Sequence, residues 1–171
     1  KAYYNMGNVL REQGKLGLAG WAYKKTILIQ PDFVGAYNNL GLVLQDQGIF
    51  AKAKEAFTKA ISIRPDFAVA HRHLSKFRKY TAEDAQFNNC KIIYANADLS
   101  DHDQCHLDFA LAKMFEDTGD FDQAYSHLIS GNSIRKKELG YSCKLDELLF
   151  ERLSNWQSKI INMLPAELGY N

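Results

Sequence analysis

Apolar positions in the first part of the chain follow a three-and-four spacing that is interrupted at regular places. Between Val34 and Gln47, the residues Tyr37, Leu40, Val43 and Leu44 share one helical face. Gly48 closes that stretch, because glycine accepts the left-handed conformation at a helix C-terminus. From Ala51 to Arg64 a second stretch turns Ala53, Ala56, Phe57, Ala60 and Ile61 inward. Pro65 prevents it from continuing, and Asp66 is placed to cap the next helix. The same pattern occurs 34 residues earlier. Ala2-Tyr3-Tyr4-Asn5-Met6-Gly7 matches Ala36-Tyr37-Asn38-Asn39-Leu40-Gly41, and Leu10, Gly14, Ala19, Tyr23 and Pro31 match Leu44, Gly48, Ala53, Phe57 and Pro65. So many matches at one offset define an internal repeat, each unit a pair of helices.

The repeat then degenerates. A third unit opens at Ala68, where Leu74 matches Leu40, but Ser75 replaces Gly41. Thr81-Ala82-Glu83-Asp84 reads as a capping-box start for a helix over about 82–95. Ser100-Asp101-His102-Asp103 reads as another, opening a helix to Thr118 that carries Leu107, Leu111, Met114 and Phe115. Gly119-Asp120 forms a turn before a long helix over 121–139 with Phe121, Ala124, Leu128 and Ile134. Leu111, Ala112, Phe115, Gly119, Ala124 and Leu128 keep the repeat spacing, so this is a fourth hairpin. Gly140-Tyr141-Ser142 breaks it, and Leu145, Leu149, Leu153, Trp156, Ile160 and Leu164 mark a last helix that would cap the stack. The expected organisation is two repeats and the first helix of a third in 1–80, a divergent region with a fourth hairpin in 81–140, and a capping helix and linker in 141–171. With three prolines and no long β-branched alternation, the class is all-α.

These residues resemble the tetratricopeptide-repeat family, whose signature runs aromatic, Leu-Gly, aromatic or Leu, Ala, aromatic, Ala, Pro. The second unit supplies Tyr37, Leu40, Gly41, Leu44, Ala53, Phe57, Ala60 and Pro65. The first supplies Tyr3, Met6, Gly7, Leu10, Ala19, Tyr23 and Pro31, with Thr26 departing from the pattern. The resemblance implies a right-handed superhelical solenoid that binds proteins or peptides and is not itself an enzyme. From His71 to Trp156 the chain resembles something narrower, the linker region of bacterial proteins that join such repeats to a C-terminal sulfotransferase domain. The residues that carry this are Tyr80-Thr81-Ala82-Glu83-Asp84, Leu107-Asp108-Phe109-Ala110-Leu111-Ala112-Lys113, Asp117-Thr118-Gly119-Asp120-Phe121-Asp122-Gln123-Ala124 and Leu139-Gly140-Tyr141. In that family a strand and a Gly-rich loop for the phosphosulfate donor follow. No such loop occurs in these 171 residues, which also begin inside a helical pattern without Met. The resemblance implies the repeat part of a larger sulfotransferase-like protein, with the catalytic domain as partner. The alternative role is structural, docking on that domain or dimerising.

Composition adds bounds. Apolar residues make up 46% and charged residues 24%, with net charge +1, so no global field points to nucleic acid or membrane. No apolar run approaches the ~18 residues of a membrane span. Cys90, Cys105 and Cys143 show no paired spacing, which fits reduced thiols and a cytoplasmic setting. No nucleotide, hydrolase or zinc-protease motif is present, and no cofactor or metal is expected. Gly14, Gly17 and Gly20 sit at a turn between helices with no preceding strand, unlike a phosphate loop. His102 and His106 share a helix face at metal-ligand spacing, but the favoured reading is an exposed first turn with Cys105 inward. Arg72, Lys76, Arg78 and Lys79, interleaved with Phe77 and Tyr80, form the one basic cluster.

In a stack of this kind the first helices line a concave groove. Positions beside the core stripe face it: Tyr4, Asn5, Asn8 and Arg11, then Asn38, Asn39, Leu42 and Gln45, then Arg72, His73, Lys76 and Lys79. Asn5 and Asn39 are equivalent by the repeat, and an amide pairs with both N–H and C=O of an extended chain. This resembles the Asn ladder of repeat domains attached to glycosyltransferases. Asn8 and Asn39 also resemble two of the five residues that repeat co-chaperones use to clamp a C-terminal carboxylate, while Tyr4, Val69 and His73 depart from that pattern. The expected groove residues are Asn5, Asn8, Asn38, Asn39, Arg72, His73 and Lys76.

Overall fold

The computed structural model describes residues 1–96, 98–140 and 152. They form helices α1 (Ala2–Glu12), α2 (Leu16–Ile29), α3 (Val34–Asp46), α4 (Phe50–Ile63), α5 (Ala68–Ser75), α6 (Ala85–Asn96), α7 (Asp101–Thr118) and α8 (Phe121–Glu138). Among the described residues there is no strand. The fold is an all-α solenoid of helical hairpins. Residues 1–134 make one compact unit and 135–171 a second. Of the second, the described part is chiefly the end of α8, where Arg135 pairs with Glu138 at 3.5 Å. The capping helix expected in 141–171 lies outside the described residues.

The first two hairpins owe their close approach to one device. A Cβ on Gly7 would stand 2.6 Å from the ring of Tyr23, and a Cβ on Gly41 would stand 2.5 Å from the ring of Phe57. Each glycine therefore lets the aromatic of the second helix lie directly on the backbone of the first. Both rings are fully buried. Around them Ala19, Leu40, Val43, Leu44, Ala53, Ala56 and Leu74 complete a first core. Gly48, at φ +75°, follows α3 and Gly119, at φ +83°, follows α7, which ends both helices as the sequence indicates. Helix α5 is preceded by Phe67 with no side-chain cap, so Asp66 does not play the expected role.

The device is lost in the third unit. Ser75 replaces the glycine, and Lys91 stands where the ring would be. Ser75 Oγ instead donates to the carbonyl of Arg72, and α5 stops there. Helix α5 packs against α4 and α7, and α6 also packs against α7. Tyr80 is buried in the connection. Its N–H donates to Asp117 Oδ2 on α7 and its hydroxyl to Gln86 Oε1. Helix α6 begins at Ala85, not near residue 82, because Asp84 is the capping side chain. Its Oδ1 accepts from the N–H of Gln86 at 2.8 Å and more weakly from that of Phe87. Phe87, Cys90, Leu107, Leu111 and Met114 build a second core with Ala68 and Tyr80. Helix α7 begins as read: Ser100 Oγ accepts from Asp103 N–H.

In the fourth hairpin the glycine changes sides. A Cβ on Gly131 of α8 would meet Asp108 Cβ at 3.1 Å and the Phe109 ring at 3.4 Å. Asp108, fully buried, accepts from His127 Nδ1 at 2.8 Å and from Ser130 Oγ at 2.6 Å. A polar tie therefore replaces the ring-on-glycine contact. Of the apolar residues that α8 carries, Phe121 and Leu128 are exposed at 68% and 42%.

Candidate binding groove on the first helices

The groove face is built on α1, α3 and α5, and its centre is an amide cluster. Asn8 Oδ1 accepts from Tyr23 OH and from Asn39 Nδ2, both at 2.9 Å. Asn39 Nδ2 also reaches Tyr4 OH at 3.2 Å. Asn39 Oδ1 accepts from Asn38 Nδ2 at 3.2 Å. Asn8, Asn38 and Asn39 are thus brought together across α1 and α3, and Asn8 and Asn39 bond each other. Asn5 is exposed, whereas Asn38 is 5% exposed. Burial raises the Tyr23 hydroxyl pKa, opposed by the nearby Arg11 charge and the Asn39 hydrogen bond.

Three buried atoms on this face lack a hydrogen-bond partner: Asn38 Oδ1, Gln45 Oε1 and His73 Nδ1. Asn38 and Gln45 are two turns apart on one side of α3. His73, on α5, stacks on Phe57 at 5.2 Å between ring centres. Burial pulls its pKa down to about 4, helped by the charges of Lys76, Arg72 and Arg11. His73 is therefore neutral at pH 7 and sits in a positive field drawn from α1 and α5.

The basic cluster of the sequence divides. Arg72 turns toward α7, its guanidinium 4.3 Å from the Phe109 ring centre and 3.4 Å from His106 Nδ1. Arg78 pairs with Asp84 at 2.7 Å and lies over Tyr80. Lys76 and Lys79 are exposed, and partial burial with the Arg72 charge lowers the Lys76 pKa. His71 is buried and satisfied, with Nε2 2.7 Å from the Pro65 carbonyl, and burial lowers its pKa. His106 Nδ1 lies 3.4 Å from Arg72 while its ring packs edge-on against His102 at 4.5 Å between centres, and no cluster of three or more metal-ligating side chains occurs among the described residues. Among those residues no helix is long and apolar enough to cross a membrane.

Sequence reasoning named the groove positions but did not separate amides tied to one another from acceptors left over. It also passed over the Asp108–His127–Ser130 tie. The available signal was Asp108 itself, a carboxylate at the fourth unit's counterpart of Tyr37.

Over the first two hairpins the stacking, the 34-residue period and the ring-on-glycine contacts are those of tetratricopeptide repeats. Family models bear this out: one described as tetratricopeptide repeat matches residues 34–67 and one described as TPR repeat matches 7–48. Among solved structures the chain is similar to BtubC from P. vanneervenii, with 14% identity, TM-score 0.55, and coverage of 82% of this chain and 64% of that one. It is similar to YrrB, described as a TPR protein with an unusual peptide-binding site, at 18% identity and TM-score 0.51, covering 77% and 66%. It is also similar to pilF of Pseudomonas aeruginosa at 21% identity and TM-score 0.51, covering 87% and 65%. These likenesses concern the fold, and the chain spans just under two thirds of the length of each of these three. No curated protein matches it in sequence.

Proposed function

We propose that the chain is a non-catalytic scaffold that holds an extended, acidic peptide segment of a partner protein against α1, α3 and α5. The observation that carries this is the run of amide side chains on α1 and α3, with Asn5 exposed and Asn8 bonded to Asn39, together with the exposed Lys76 on α5. An amide pairs with both the N–H and the C=O of an extended backbone, at about 1 kcal/mol per hydrogen bond. Main-chain recognition of this kind is tolerant of sequence, so charge supplies the preference. The peptide-binding description of the YrrB structure is in keeping with this use of the fold.

The resemblance of His71 to Trp156 to repeat–sulfotransferase linkers extends the reading. In the intact protein the module would present a bound segment to a catalytic domain in the cytoplasm. The test is peptide-array selection followed by calorimetry on the full chain. Micromolar affinity is expected, roughly −8 kcal/mol. Gln45→Ala should weaken it by about 1 kcal/mol. Lys76→Glu should weaken it more at low salt than at high salt, because the charge is exposed. Selected peptides that bind both variants as they bind the unaltered chain would refute the groove.

A further inference from the structure

A cleft lies between α4 and α6, with residues of α5 at its base. Its volume is about 560 Å³, and its lining includes Lys54, Ile61, Leu74, Arg78, Gln86 and Asn89. An equivalent cleft lies one repeat earlier, between α2 and α4, with a volume of about 310 Å³. Corresponding positions line the two: His71, Leu74, Arg78 and Asn89 in the later cleft stand for Tyr37, Leu40, Leu44 and Glu55 in the earlier one. The repeat therefore accounts for there being a cleft at this place. It does not account for the larger volume or the altered lining. The cleft is interior to the chain, with each of the three helices that wall it described in full.

The replacements change its chemistry. The guanidinium of Arg78 takes the place of Leu44, and the neutral amide of Asn89 that of Glu55, so no carboxylate lines the cleft. No ion pair among the described residues involves Lys54. Arg78 gives Nη2 to Asp84 and Gln86 and lies over the Tyr80 ring, which fixes the guanidinium and leaves its other N–H groups to spare. The amides are held as well. The Pro65 carbonyl can only accept, so His71 Nε2, 2.7 Å away, carries the proton, and His71 Nδ1 is left to accept from Gln86 Nε2 at 3.5 Å. Tyr80 OH donates to Gln86 Oε1 at 2.8 Å, and Asn89 Nδ2 donates to the Pro65 carbonyl at 3.3 Å. Ile61 and Leu74 add apolar surface between these groups.

We infer that this cleft binds an organic carboxylate with a compact apolar body. The carboxylate is held by Lys54 and Arg78, and the body lies on Ile61 and Leu74. Pockets for small molecules measure roughly 300–1,000 Å³ and combine mostly apolar walls with a few placed polar groups, as here. An ammonium and a fixed guanidinium with no carboxylate beside them in the lining call for an anion, and the apolar walls call for more than a bare inorganic one. The same chemistry is offered by a free acid and by the C-terminal residue of a partner chain. The site shares no residue with the groove amides or with Lys76, and neither reading depends on the other.

The test is calorimetry on the full chain with hydrocinnamate at millimolar concentration against its neutral amide. The carboxylate is expected to bind at least tenfold more tightly, with the gap narrowing as salt rises. Lys54→Glu should weaken it at least tenfold. Lys52→Glu, the same charge change on the same helix but on the earlier cleft, should leave it within twofold. Ala85→Trp, at an exposed position in the lining, should abolish binding by filling the cleft. Lys54 is exposed too, and circular dichroism verifies the fold of each variant. The side-chain amide resonances of Gln86 and Asn89 should shift as hydrocinnamate is added. A pentapeptide ending in Phe, with its C-terminus free or amidated, separates the two sources. Tighter binding of the free-ended peptide than of hydrocinnamate assigns the cleft to a chain end, and binding of hydrocinnamate alone assigns it to a free acid. No binding of either carboxylate, equal binding of hydrocinnamate and its amide, displacement by inorganic phosphate, or full binding by a folded Ala85→Trp variant overturns the inference.

Discussion

Replacing Gly41 by Ala tests the contact that holds a hairpin shut. The added Cβ would lie 2.5 Å from Phe57 Cε1 and 2.8 Å from both Cδ1 and Cζ. Carbon atoms pack at about 3.5–4.0 Å, so roughly 1 Å of relief is needed. Phe57 cannot supply it cheaply: its ring is fully buried, with His73 at 5.2 Å and Phe77 at 5.9 Å between centres. Overpacking of this sort costs about 1–3 kcal/mol. Against it stands a helix-propensity gain of about 1 kcal/mol for Gly→Ala. For a displacement this large the steric side wins, and the expected net loss is about 1–2 kcal/mol, which lowers Tm by roughly 2–8 °C. Gly20→Ala is the matched control. It has the same chemistry inside α2, but its Cβ meets Val43 and Leu40 at 3.5 and 3.9 Å, ordinary contact distances. It should be neutral or stabilise by up to about 1 kcal/mol. Urea unfolding followed by circular dichroism measures both. Adding Phe57→Leu to Gly41→Ala should cost less than the sum of the single changes, because the clash is shared. If Gly41→Ala is as stable as the unaltered chain while Gly20→Ala behaves as expected, the account of the hairpin is wrong.

Lowering the pH from 6.5 to 4 should destabilise the fold, because unfolded His73 takes up a proton near 6.5 while the folded side chain resists until about 4. The loss should be on the order of 2 kcal/mol, and His73→Asn, which installs the residue found at position 39, should flatten the slope in urea titrations across that range. Asp108→Ala should cost about 3–5 kcal/mol by leaving His127 and Ser130 without their acceptor, with hydrogen exchange in α8 rising before that in α3. Cys90 is buried and its pKa is pushed up to about 12, so it should resist alkylation at pH 8 until urea unfolds the chain, as mass spectrometry of labelled peptides would report.

The first two hairpins were legible because a period fixes both helix and face: Gly7 with Tyr23 and Gly41 with Phe57 recur 34 residues apart. The third unit was half legible. Ser75 in place of glycine announced a change, but not that α5 would shorten and seat on α7. The capping-box spacing of Thr81…Asp84 points to a start of α6 near residue 82, and the structure begins it at Ala85. The choice went to Asp84 because burial of Tyr80 and its bond to Asp117 commit the preceding residues to the connection. Phe121 and Leu128 show a further limit, since spacing reports a shared helical face and not whether a neighbour covers it. In the groove, residue type indicated that Asn8 and Asn39 were suited to hydrogen bonding. Only the packing of α1 on α3 shows that they spend that capacity on each other.

The seat of α5 on α7 alters how the chain can come apart. In a regular repeat array each unit touches only its sequence neighbours, so unfolding can start at an end and travel inward one hairpin at a time. Here the third unit is tied to the fourth through α5 on α7, and Ala68 shares a core with Leu107, Leu111 and Met114. Residues 68–118 are thereby closed into a single loop that opens or forms as a whole. Its contact order exceeds that of the two hairpins before it, which makes it the slower part to assemble. The amino-terminal hairpins can fray and re-form while this closed segment persists.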